Sequence, residues 1–70
     1  MPIAMCSIRQ TVKVIRMLID EKTKKHLEDL GVTIGADVQV VSSDGGNIII
    51  EAKGTRLALS KNIALKILVA

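Results

Sequence analysis

Two hydrophobic periods divide the 70-residue chain. Residues 11–19, Thr-Val-Lys-Val-Ile-Arg-Met-Leu-Ile, are rich in β-branched side chains and long enough for a strand. Their alternation slips midway: Val12 and Val14 share one face, while Ile15, Met17 and Ile19 share the other. Such a strand is either covered on both faces or carries a bulge. Over 20–30 the period changes, and Lys22, Lys24, Lys25, His26, Glu28 and Asp29 surround Leu27 and Leu30, an i, i+3 pair. This spacing predicts a short amphipathic helix with one narrow apolar stripe and a solvated charged face. Gly31 stands where a helix-ending glycine is needed, and Val32 where the accompanying apolar contact forms.

The period of two returns over 35–59. Val38 and Val40, continued at Ser42, line one face of a strand, and Asp44-Gly45-Gly46-Asn47 offers positive-φ residues for a tight hairpin. Ile48, Ile49, Ile50, Glu51 and Ala52 form the return strand, whose three consecutive Ile predict cover on both faces. Lys53-Gly54 is a second turn, after which Leu57 and Leu59 alternate with Arg56 and Ala58. Ser60 is an N-cap for a helical turn over 62–65, and Ile67, Leu68 and Val69 close the chain as a last strand. The expected fold is mainly β: one domain over 1–70, a small barrel of about five strands, with a short α-helix after the first strand and a helical turn before the last.

Composition narrows the function classes. The chain is 49% hydrophobic, with ten Ile, seven Val and seven Leu, and has no Phe, Tyr or Trp. So small a domain needs nearly all of those 24 branched side chains buried to offset the entropy of ordering. Single-stranded nucleic acid is usually held by stacking on aromatic rings, and none exists here. A net charge of +3 permits contact with an acidic partner without demanding one. One cysteine, Cys6, makes no internal disulfide and suits a reducing compartment. No uncharged apolar run approaches the ~18–20 residues that span a bilayer. A soluble, cytoplasmic protein is expected.

Catalytic chemistry is sparse. Cys6 lies in an apolar stretch with only Arg9 as a local cation, and reads as a packing residue. His26, the only imidazole, falls on the charged helix face beside Lys22 and Asp29. The metal-ligating inventory of Cys6, Asp20, Glu21, His26, Glu28 and Asp29 shows no recognised ligand spacing. The glycines lack the strand-to-helix setting of a phosphate loop. Lys22, Lys24 and Lys25, with Arg16 and Arg56 as neighbours, offer a basic patch, while interleaved acids (Glu21 with Lys25 at i, i+4) favour an ordinary solvated face. The expectation is a non-enzymatic binding domain.

Several segments resemble one family in order and spacing. Leu30-Gly31, followed by Gly35-Ala36-Asp37-Val38, is similar to the leucine-glycine and glycine-alanine-x-valine segment of ferrous iron transport protein A (FeoA). Gly46-Asn47-Ile48-Ile49-Ile50, Gly54-Thr55-Arg56-Leu57-Ala58-Leu59 and Ala64-x-x-Ile67-x-Val69 resemble its later motifs. Ile34 stands where members often have Pro, and Arg9 and Gln10 where they often have Gly. The resemblance implies an SH3-like barrel, a cytosolic accessory of ferrous iron uptake, and a partner in the cytoplasmic GTPase-like domain of a FeoB-type membrane transporter. It supplies no catalytic or metal-binding residues.

On this reading Lys24, Lys25, His26 and Arg56 are the candidate partner-binding residues. Catalytic, cofactor and metal sites are expected to be none, with weak Fe²⁺ or Zn²⁺ binding as an alternative. A small basic barrel binding structured nucleic acid, as KOW-type domains do, is the other alternative. Exposed sheet edges leave homodimer formation open.

Overall fold

Two register shifts, one in the first strand and one in the second, interrupt the sheet. In the computed structural model, which describes residues 1–70, β1 (Thr11–Met17) pairs with β2 (Asp37–Ser43) through its first half and with β5 (Ile67–Val69) through its second. The β1–β5 register shifts between Val14 and Arg16. Val12, Val14 and Met17 therefore all point inward, while Ile15 and Arg16 both face out. Of the two expected arrangements for this strand, the bulge is the one that forms. β1 ends two residues earlier than the apolar pattern predicts.

Helix α1 (Glu21–Asp29) follows, then β2, β3 (Asn47–Ala52), β4 (Thr55–Ser60), the single-turn helix α2 (Lys61–Ala64) and β5. All five strands belong to one antiparallel sheet in the order β4-β3-β2-β1-β5. Asp20 caps α1, accepting the Thr23 N–H at 3.1 Å, and Ser60 Oγ caps α2 from the Ile63 N–H. At the other end of α1, Gly31 takes φ +97° and donates to the Glu28 carbonyl, while Val32 donates to that of Leu27. These are the paired bonds of a Schellman ending.

Fifteen aliphatic, Ala and Met side chains form one core, with no buried polar or charged residue among them. Met17, Ala52 and Ala64 apart, these are branched aliphatics, so half of the chain's 24 are buried rather than nearly all. The reason is geometric: a single bent layer this small encloses one inner face only. Ile48 and Ile50 are buried while Ile49 between them is half-buried.

Three further expectations are corrected. Gly45 and Gly46 do not take positive φ; Asp44 Oδ1 instead accepts the N–H groups of Gly46 and Asn47, so a side chain shapes the turn. A register shift between Val40 and Ser42 carries Ser42 out of the inward row, and it is exposed. Helix α2 starts one residue earlier than expected, at Lys61. The first ten residues also gain a structure: a 3₁₀ turn, Ile3–Met5, inserts a fully buried Ile3, and Pro2 bridges to Leu68.

Candidate functional site

The charged helix is a face more than a site. Helix α1 buries only Leu27, and Leu30 is half-buried at its end. Lys25, nearly opposite Leu27 on the helix, and His26 are exposed, while Lys24, one turn before Leu27 on the same face, is half-buried. The protein has two ion pairs, Lys13–Asp37 at 3.7 Å and Arg56–Glu51 at 3.1 Å. The favourable spacing of Glu21 and Lys25 thus does not close into an ion pair, and no α1 lysine belongs to either pair.

Arg56 is placed differently. It lies directly across the β3–β4 ladder from Glu51, and its Nε donates to Glu51 Oε2. The adjoining turn, Lys53-Gly54, has φ +52° and +79°, the geometry of a two-residue hairpin turn. The aliphatic stem of Lys53 lies over Gly31, 3.5 Å from where a Cβ would stand. This contact brings the tip of the β3–β4 hairpin to the C-terminal end of α1. Arg56 follows that turn in β4, held by its own carboxylate, while Lys24, Lys25 and His26 occupy the middle of the helix. Arg16 belongs to neither group: it faces out from β1 opposite Leu68.

No three His, Cys, Asp or Glu side chains come together. His26, Glu28 and Asp29 stay exposed on α1, and Cys6 is half-buried at the end of the 3₁₀ turn, its Sγ 3.9 Å from the Pro2 carbonyl. Burial pushes the Cys6 thiol above its ordinary pKa, which disfavours the thiolate that metals and electrophiles require. Hydrogen bonds from Thr23 hold the Asp20 carboxyl below its usual range, and the N–H groups of Gly46 and Asn47 do the same for Asp44. Both carboxylates are engaged in turns rather than aimed at a common point. The surface has no pocket, and no helix is long and apolar enough to cross a membrane.

With that geometry in hand, comparison with known proteins is decisive for the family. The FeoA domain model matches residues 1–70, the whole chain. The chain belongs to the FeoA domain family. A protein of Methanocaldococcus jannaschii assigned as Fe(2+) transport protein A is 33% identical over 45 residues, 64% of this chain and 55% of that one, so the match spans little more than half of that relative. A crystal structure described as the iron uptake regulatory protein FeoA is 28% identical, with a TM-score of 0.88 over 99% of this chain and 93% of that one. The FeoA of Stenotrophomonas maltophilia, crystallised with zinc and described as a prokaryotic SH3 domain protein, is 21% identical. Its TM-score is 0.79 over 100% of this chain and 89% of that one. The fold is thus SH3-like, as the family resemblance implied.

Arg9 has φ +73°, at the third position of a Ser7–Gln10 turn closed by the Gln10 N–H on the Ser7 carbonyl. What sequence reasoning did not reveal is a second surface, where Ile15, Leu18, Ile34 and Leu65 stand exposed.

Proposed function

We propose that this FeoA-family protein is a small cytoplasmic accessory of ferrous iron uptake that binds the cytoplasmic GTPase-like domain of a FeoB-type transporter and modulates it by protein–protein contact. The observation that carries the reading is the family match over all 70 residues, joined to a surface without a pocket. A domain of this shape acts through its outer face. The contact residues are Lys24, Lys25 and His26 on α1, with Arg56 at the neighbouring hairpin. Lys24 and Lys25 belong to neither ion pair, so their charges are available to an acidic surface.

Isothermal titration of the transporter's cytoplasmic domain with this protein tests the reading. Saturable binding that weakens on Lys24→Glu with Lys25→Glu, and that changes GTP hydrolysis by the domain, is the expected result. Absence of binding to the domain in its GTP, GDP and nucleotide-free states would refute it.

A further inference from the structure

The outer face of the β1–β5 half of the sheet combines aliphatic side chains with free cations. Because of the bulge, Ile15 and Arg16 both face outward, followed on the same side by Leu18. On the β5 flank, Leu68 lies opposite Arg16, and the Leu18 N–H donates to the Lys66 carbonyl at 2.8 Å. That register places Leu65 and Lys66 beside Leu18. On the other flank the Gly35 N–H donates to the Val14 carbonyl at 2.7 Å, which brings Ile34 to the bulge. Ile15, Leu18, Ile34 and Leu65 are 45%, 51%, 54% and 47% exposed. Neither Arg16 nor Lys66 belongs to either ion pair. Contiguous exposed aliphatics of this kind mark an interaction surface.

The shape and charge select the occupant. The inward rows of the bent sheet enclose the single core, so this outer face is convex and carries no groove into which a helix could lie. A second copy seated symmetrically would gather Arg16 and Lys66 of both copies, four cations, in one interface, an unfavourable concentration of like charge. A fluid anionic surface meets both conditions. Separate aliphatic prongs enter the interfacial zone, while the long stems of Arg16 and Lys66 let their charged heads reach lipid phosphates. We propose that this face docks peripherally on an anionic lipid bilayer. The docking surface is distinct from the α1 and Arg56 contact and does not depend on it.

Co-sedimentation of the 70-residue protein with extruded phosphatidylcholine vesicles, with and without about one-third phosphatidylglycerol, tests the proposal. Binding to the anionic vesicles only is expected, weakening as salt rises. Arg16→Gln with Lys66→Gln should lower the partition coefficient by about 25-fold, roughly fivefold for each cation. Leu18→Ser with Ile34→Ser, both at exposed positions that leave the core intact, should lower it at least tenfold. The charge-matched control Lys22→Gln with Lys53→Gln should change it by much less. No binding to anionic vesicles overturns the proposal, and so does an equal loss in the control, which would mean attraction by net charge alone. If vesicles are ignored while the Leu18→Ser, Ile34→Ser variant loses the transporter's cytoplasmic domain, the face is a protein contact and lipid docking is wrong. Failure of the adaptor reading shows separately, because the vesicles contain no protein.

Discussion

The N–H of Val32 donates to the carbonyl of Leu27 at 2.9 Å, and both side chains are in the core. The two residues that end α1 thereby also seat it on the sheet. Between them, Gly31 must hold φ +97°. Its site leaves room for a methyl group at ordinary contact distance from Lys53, so a substitution costs backbone strain rather than a clash. Gly31→Ala should destabilise the protein by about 1–2 kcal/mol. Leu27→Ala should cost more, about 2–5 kcal/mol, because it removes the only side chain α1 buries. Urea unfolding, with unchanged slope and a lowered midpoint, is the check.

Arg9 presents the opposite case. A side chain is held at φ +73° where glycine would rest freely. Arg9→Gly should therefore be neutral or stabilising, by up to about 1 kcal/mol, because released strain exceeds the added entropy of the unfolded chain. The bond from the Arg9 N–H to the Val40 carbonyl survives the change. A thermal midpoint that falls by several degrees would show that Arg9 is not strained.

Asp20 and Asp44 tie stability to pH. Both carboxyls have folded-state pKa values below their ordinary ones, through hydrogen bonds from Thr23 and from Gly46 and Asn47. A lowered folded pKa contributes stability that is present above the unfolded value, near 3.9, and lost as pH falls through the folded one. The protein should lose stability on acidification below about pH 4. Asp20→Ala should flatten that slope in unfolding curves collected from pH 7 down to pH 2, and a slope unchanged by the substitution would contradict the capping role.

Cys6 should behave as a packing residue. Its thiol is half-buried against the core and raised above its ordinary pKa by that burial. Alkylation by iodoacetamide at neutral pH should be slower than for a free cysteine, and should speed up in urea. Equal rates in the folded and unfolded protein would contradict this placement.

How much of this was legible in sequence depends on how local each signal is. The Schellman ending was readable because Leu27, Gly31 and Val32 are close in the chain and each type has one physical use there. The phase slip at Ile15 announced an irregular β1, and the structure supplied which irregularity it was. Ile3 escaped notice because a three-residue turn has no period to detect. Gly45 and Gly46 misled because an Asx turn and a positive-φ turn draw on the same residue types. For the candidate site, exposure of Lys25 and His26 followed from helix phase alone, whereas the Glu51 partner of Arg56 required the hairpin register. The clustering of Ile15, Leu18, Ile34 and Leu65 needed three separate segments brought together, which no single-chain pattern encodes.

The adaptor reading is tested most directly by following backbone amide shifts of the labelled protein as the cytoplasmic domain of its FeoB-type transporter is added. Saturable shifts concentrated on Lys24, Lys25 and His26, with Arg56 and the Lys53 turn beside the helix end, are the predicted result. A spectrum unmoved in every nucleotide state of the domain, or shifts that leave α1 untouched, would contradict the assignment of that face.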